Sequence, residues 1–139
     1  MTVEITTDRA RMDVAAIHRY LAGQSYWAAN IPLPLLARAL DHSLCFAAVE
    51  GAALVGFARV ITDHATFAYL ADVFVIASHR GRGIAKQIME AIRLHPELQN
   101  LRRWHLVTRD AHGLYEQYGF RPLERPDRHM ELTKTDAYR

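Results

Sequence analysis

Apolar positions in this chain fall into two rhythms. Nearly continuous apolar runs at 43–50 (SLCFAAVE) and 52–62 (AALVGFARVIT) flank Gly51 and predict a β-hairpin. A third long run, 65–77 (ATFAYLADVFVIA), predicts another strand, and 103–109 (RWHLVTR) a shorter one. VEIT at 3–6 predicts a short first strand, and a last one is expected near 129–133. Helical spacing appears at Val14, Ile17, His18 and Leu21, with Asp13 as a cap and Gly23 just past the end, which predicts a helix over 14–22. Pro32 and Pro34 mark a loop over 25–34, followed by a helix over about 35–41. A third helix is predicted over about 83–94, ended by Pro96, and a short fourth over 110–119. The order is β-α-α-β-β-β-α-β-α-β. Antiparallel strands come first, and a strand–helix–strand unit then makes a parallel pair. The fold class is therefore mixed α/β, an α+β mixed sheet.

The length of 139 residues suits one domain, 1–139, around one core. Half the residues are hydrophobic and 23% are charged, the composition of an ordered globular protein. No run approaches the roughly 18 apolar residues of a membrane span, and the N-terminal stretch lacks the apolar centre of a secretory signal. The expectation is a cytoplasmic protein without membrane contact. A net charge of +2, with no basic stripe carrying interleaved aromatics, argues against nucleic acid as a partner. The single cysteine, Cys45, allows no intramolecular disulfide and reads as a small buried hydrophobe. The eight histidines show no metal-ligand spacing, so no metal is expected.

Chemistry enters at SHRGRGIAKQIMEAI, residues 78–92. A helix N-terminus presents unpaired N–H groups and a partial positive charge, and becomes an anion site when side chains do not block it. Gly81 and Gly83 open the approach, Ala85 keeps the first turn small, and Arg80, Arg82 and Lys86 supply positive charge. The stretch lacks the GK[ST] ending of a P-loop and the full G-x-G-x-x-G of a dinucleotide fold. A plain glycine-rich turn on a solvated face remains the competing reading of this loop alone.

Arg80-Gly81-Arg82-Gly83-Ile84-Ala85 resembles the [RQ]-x-x-G-x-[GA] signature of the GCN5-related N-acetyltransferases (GNAT). GLYEQYGF at 113–120 is similar to that family's L-Y-x-x-x-G-F block. The resemblance is clear over about 43–120 and weaker before it. It implies a central sheet of six or seven strands flanked by about four helices, and acetyl-CoA as donor. It implies that Arg80, Gly81, Arg82, Gly83, Ile84, Ala85 and Lys86 surround the pyrophosphate. It further implies that the backbone of Val73, Phe74 and Val75 pairs with the pantetheine arm, as a strand edge pairs with another strand.

In LYEQYGF, packing and helix capping account for Leu114, Gly119 and Phe120 but do not demand a hydroxyl at Tyr115. The resemblance implies that Tyr115 is the general acid for the departing thiolate, with the N–H near Val75 on the carbonyl oxygen and no covalent acetyl-enzyme. Asp72, expected to share a strand face with Leu70 and Phe74, is a candidate base or counter-ion for the amine, or else the partner of an arginine or a bulge cap. Asp63 reads as a solvated turn residue. Tyr26 and Trp27, with Tyr69 and Arg109, are the candidate acceptor-binding residues; His112 reads first as a surface histidine. The expected partner is a small-molecule primary amine. A protein or peptide amine, or a non-catalytic acyl-CoA sensor, are the alternatives, and family analogy raises a homodimer.

Overall fold

The computed structural model describes residues 2–138. Five strands form one sheet in chain order: β1 (Val3–Thr6), β2 (Leu44–Glu50), β3 (Ala53–Thr62), β4 (Phe67–Val75) and β5 (Arg103–Leu106). The first three pairings are antiparallel, and β4–β5 is parallel. Four α-helices accompany them: α1 (Val14–Gln24), α2 (Leu33–Asp41), α3 (Ile84–Leu94) and α4 (His112–Glu116). Asp13 caps α1 as expected, its carboxylate accepting from the Ala16 N–H at 3.1 Å.

Strand alternation divides the apolar residues between two faces. Cys45, Ala47, Phe57 and Phe74 meet Ile17 and Leu21 of α1 and Leu36 and Leu40 of α2. Phe46, Ala48, Val55, Ala58 and Leu70 meet Ile84, Ile88 and Ile92 of α3. Gly56 lets α3 approach: a Cβ there would lie 3.2 Å from Ile88 Cδ1 and 3.3 Å from Ile84 Cγ2 and Ala48 Cβ. A Gly56→Val variant is expected to lose about 1–3 kcal/mol through overpacking, read as a lowered denaturation midpoint.

Four expectations are corrected. The sheet has five strands among the described residues, not six or seven. The strand expected at 129–133 does not form: the stretch has no ladder partner, and Met130 and Leu132 stand fully exposed. Alternation there is only local, and no strand of the sheet meets it. The strand expected over 103–109 stops at Leu106, because its ladder with β4 ends at Leu70↔Leu106.

The fourth correction, at Asp72, bears on the third. The β3–β4 register pairs Phe57 with Phe74 but Arg59 with Ala71, so two residues of β4, Asp72 and Val73, oppose Ala58 alone. Asp72 adopts φ 56°, in the left-handed region. This bulge reverses the alternation, placing Leu70 on the α3 face and Phe74 on the α1–α2 face. Asp72 therefore does not share a face with both. Beyond Leu70 β4 has no further ladder pairing with β5, which leaves that edge of β4 open.

Candidate active site

The signature loop follows β4 through one short turn (Ala77–His79) into α3. Gly81 has φ 79° and Gly83, the N-cap of α3, φ 76°; a side chain at either would be strained. A Cβ at either would meet nothing within 4 Å, so the space before the helix is open. No side chain caps α3, which leaves its first N–H groups facing that space. Ile84 is buried beneath the loop, while Arg82 and Lys86 are exposed above it.

Arg80 is held inward. Its Nε donates to the Val75 carbonyl at 3.0 Å and its Nη2 to the Tyr20 hydroxyl at 2.9 Å. Tyr20 stacks on Phe74 with ring centroids 4.0 Å apart. The other anchor of the loop is His79, whose Nε2 lies 3.2 Å from Glu50 Oε1 and whose Nδ1 lies 2.8 Å from Ser78 Oγ. The His79 contact holds the Glu50 carboxyl below its usual range. Sequence reasoning missed Tyr20, Glu50 and His79, none of which carries a motif.

The geometry of β4 exposes backbone. The Ile76 N–H donates to the Val55 carbonyl at 3.0 Å, which makes Gly56↔Val75 a non-hydrogen-bonded pair. The N–H and C=O of Val75 consequently point away from β3, toward the edge that β5 has left. Phe74 is buried and Val73 and Val75 half-buried, so this segment offers main chain more than side chains.

On the α1–α2 face a polar chain closes the bulge. Arg59 Nε donates to Asp72 Oδ2 at 2.7 Å, and Trp27 Nε1 to Asp72 Oδ1 at 2.8 Å. The two charged side chains are only 17% and 8% exposed. Each carboxylate oxygen accepts one of these bonds, which anchors Asp72 and leaves a second lone pair on each oxygen. Arg59 also reaches Ser43 Oγ at 3.1 Å. Its one sequence signal was a charge inside an apolar strand run. Tyr69 lies nearby, its hydroxyl pushed up by burial and then by the Asp72 charge.

The loop after α1 crosses toward α4. Tyr26 and Trp27 pack edge to face, centroids 5.0 Å apart. The Arg109 guanidinium lies 3.8 Å from the Tyr26 ring centroid, and the Arg109 N–H donates to the Tyr26 hydroxyl at 3.2 Å. Thus Tyr26 gathers with Arg109, Trp27 with Asp72, and Tyr69 near Asp72.

Tyr115 is buried on α4. Its hydroxyl is pushed up to about 12, chiefly by burial, then by Tyr26 and Asp110. The helix ends as the block predicted: the Phe120 N–H donates to the Tyr115 carbonyl at 3.2 Å, the Gly119 N–H to Glu116 at 3.2 Å, and Gly119 has φ 94°. This is a Schellman end that fixes the tyrosine in place. Tyr115 and His112 line a cavity of about 550 Å³ between β5 and the C-terminal stretch. None of Tyr26, Trp27, Tyr69 or Arg109 lines it.

Other candidates fall away. Asp63 is not merely solvated: it accepts from the Thr66 hydroxyl and then from the N–H groups of Thr66, Ala65 and Phe67, which hold its carboxyl well below the usual range. The buried Cys45 thiol is pushed up to about 11, chiefly by burial, which suits packing and not nucleophilic attack. No helix among the described residues is long and apolar enough to cross a membrane.

Comparison with known proteins agrees with this architecture. Residues 41–122 match the family described as acetyltransferase (GNAT) domain. A Gibberella zeae protein assigned as an acetyltransferase is 32% identical over 133 aligned positions, covering 80% of this chain and 74% of that one. A crystal structure of a GNAT-family protein assigned as an acetyltransferase, from Xanthomonas campestris pv. campestris, superposes with a TM-score of 0.96 at 51% identity. It covers 99% of this chain and 97% of that chain. A Clostridium acetobutylicum protein, solved with acetyl-CoA, shares the fold with a TM-score of 0.69 at 19% identity over 95% and 96% of the chains. The chain belongs to the GNAT family of acetyltransferases.

Proposed function

We propose that this protein transfers the acetyl group of acetyl-CoA directly to a primary amine, probed first with small molecules. The reading rests above all on one observation. A strand edge left open beyond Leu70 runs into a helix whose N-cap, Gly83, is left-handed and unblocked. A thioester arm that is an extended amide fits the edge, and a pyrophosphate fits the helix end.

In this reading the main chain of Val73, Phe74 and Val75 holds the arm, and the Val75 N–H faces the carbonyl oxygen as it gains charge. The N–H groups from Gly81 to Lys86, including those of Ile84 and Ala85, receive the pyrophosphate, with Arg82 and Lys86 adding charge. Arg80 works from behind, fixing the Val75 carbonyl. Tyr115, kept protonated by burial, holds a proton for the leaving thiolate. Asp72 positions Trp27 and Arg59 rather than taking the amine proton. Tyr26 and Arg109 close over the Tyr115 end, Tyr69 stacks behind His105 of the cavity wall, and Trp27 holds Asp72.

Thiol release with acetyl-CoA and a panel of primary amines tests the reading: release should require both reactants. Release independent of amine, or none with any amine, would overturn it. Gly83→Val strains the N-cap and covers the anion site, so KM for acetyl-CoA should rise about 10-fold or more with a smaller change in kcat, the loss of at least one charge-assisted hydrogen bond.

A further inference from the structure

We propose that the acceptor is a two-ended small molecule, a primary amine with a carboxylate or phosphate at its far end, lying along the free edge of β5. This rests on the amine-acetylation reading above. β5 is the last strand of the sheet, so its outer backbone edge has no ladder partner. The 550 Å³ cavity follows that edge from Trp104 to Thr108 and reaches Tyr115. Its volume falls in the range of about 300–1,000 Å³ usual for small-ligand sites.

A second recess of about 360 Å³ shares Leu123 and His129 with the first and continues it. Arg102, Arg103, Arg125 and Arg128 line this recess, opposed there by Glu124 alone. Arg125 is paired with Asp127 at 2.9 Å. Among the described residues no carboxylate lies within 4.0 Å of Arg102, Arg103 or Arg128. Three guanidinium groups without an ion-pair partner are a standing attraction for an anion, and guanidinium groups fit carboxylate and phosphate oxygens in pairs.

The groove is polarised. Glu116 and Glu131 line the Tyr115 cavity and not the arginine recess, although Arg121 lies in that cavity too. An ammonium is thus drawn to the Tyr115 end and an anion to the other. The C-terminal stretch that roofs the groove is held by His129, stacked on His105 at 6.0 Å, which stacks in turn on Tyr69 at 5.6 Å. From Arg103 to Leu106 β5 rises about 10 Å, which sets the separation of the two charges.

Matched amines test this: 8-aminooctanoate and its phosphate-ended counterpart against octylamine, with wild type and an Arg103→Gln/Arg128→Gln double variant. Both arginines are exposed, so the variant should fold. Wild type should prefer the anionic amines, and the variant should lower their kcat/KM by about 10- to 100-fold, the loss of one or two charge-assisted hydrogen bonds. Its octylamine activity and KM for acetyl-CoA should not change. Equal use of neutral and anionic amines, or an equal loss for both, would overturn the proposal. The relative response of carboxylate and phosphate tells which anion fits. Should no amine be acetylated, the amine-acetylation reading fails by itself. Calorimetric binding of 8-aminooctanoate then decides the groove: binding lost in the variant supports it, and binding absent or unchanged refutes it.

Discussion

Replacement of Tyr115 by phenylalanine is expected to lower kcat by about 10²–10⁴-fold while KM for acetyl-CoA stays within a few-fold of wild type, the range for loss of a positioned general acid. The hydroxyl is the only group removed. The ring keeps its place, because the Schellman end at Gly119 and the edge-to-face contact with Phe120 (centroids 6.1 Å apart) do not involve the oxygen. Burial makes the hydroxyl a persistent donor. With its pKa near 12, Tyr115 keeps its proton through the pH range in which an ordinary tyrosine, near 10, would lose it. The pH profile of kcat should therefore show no decline from this group near pH 10. A Tyr115→Phe enzyme with wild-type kcat would confine the tyrosine to packing.

Asp72→Ala is expected to cost stability, at the lower end of about 3–5 kcal/mol, and to lower activity with it. The reason is what it leaves behind. Arg59 would keep its place, 17% exposed, with no counter-charge, and the Trp27 N–H would lose its acceptor. The bulge in β4 would lose the side chain that ties it to Arg59 of β3 and to Trp27. Asp72→Asn should be milder in stability, since the amide oxygen can still accept from one of the two donors. Chemical denaturation of both variants measures this. If Asp72→Ala unfolds at the wild-type midpoint but loses its activity, Asp72 acts on the amine directly.

The features legible in the sequence were those set by neighbouring residues. Gly119 takes the left-handed conformation read for it at a helix end, and Gly81 and Gly83 leave the space before α3 open as read. The two motif blocks and the Asp13 cap belong to the same class. What was not legible depends on partners far along the chain. A period of two carried Asp72 onto the wrong face, because one extra residue in β4 resets the alternation and nothing local marks it. Arg59 showed only a charge in an apolar run; its partner is 13 residues away. HMELT at 129–133 has strand-like alternation, but a strand exists only where another strand meets it. The groove along β5 was invisible for the same reason: its arginines come from 102–103 and 125–128, joined only by the fold.

Direct transfer is tested most plainly by mass analysis of one reaction mixture, containing the protein, acetyl-CoA and a primary amine that supports thiol release. The account predicts free CoA and N-acetylated amine in equal amounts, with the mass of the protein unchanged throughout turnover. A protein carrying an added acetyl group that decays into product, or CoA formed without acetylated amine, would contradict it.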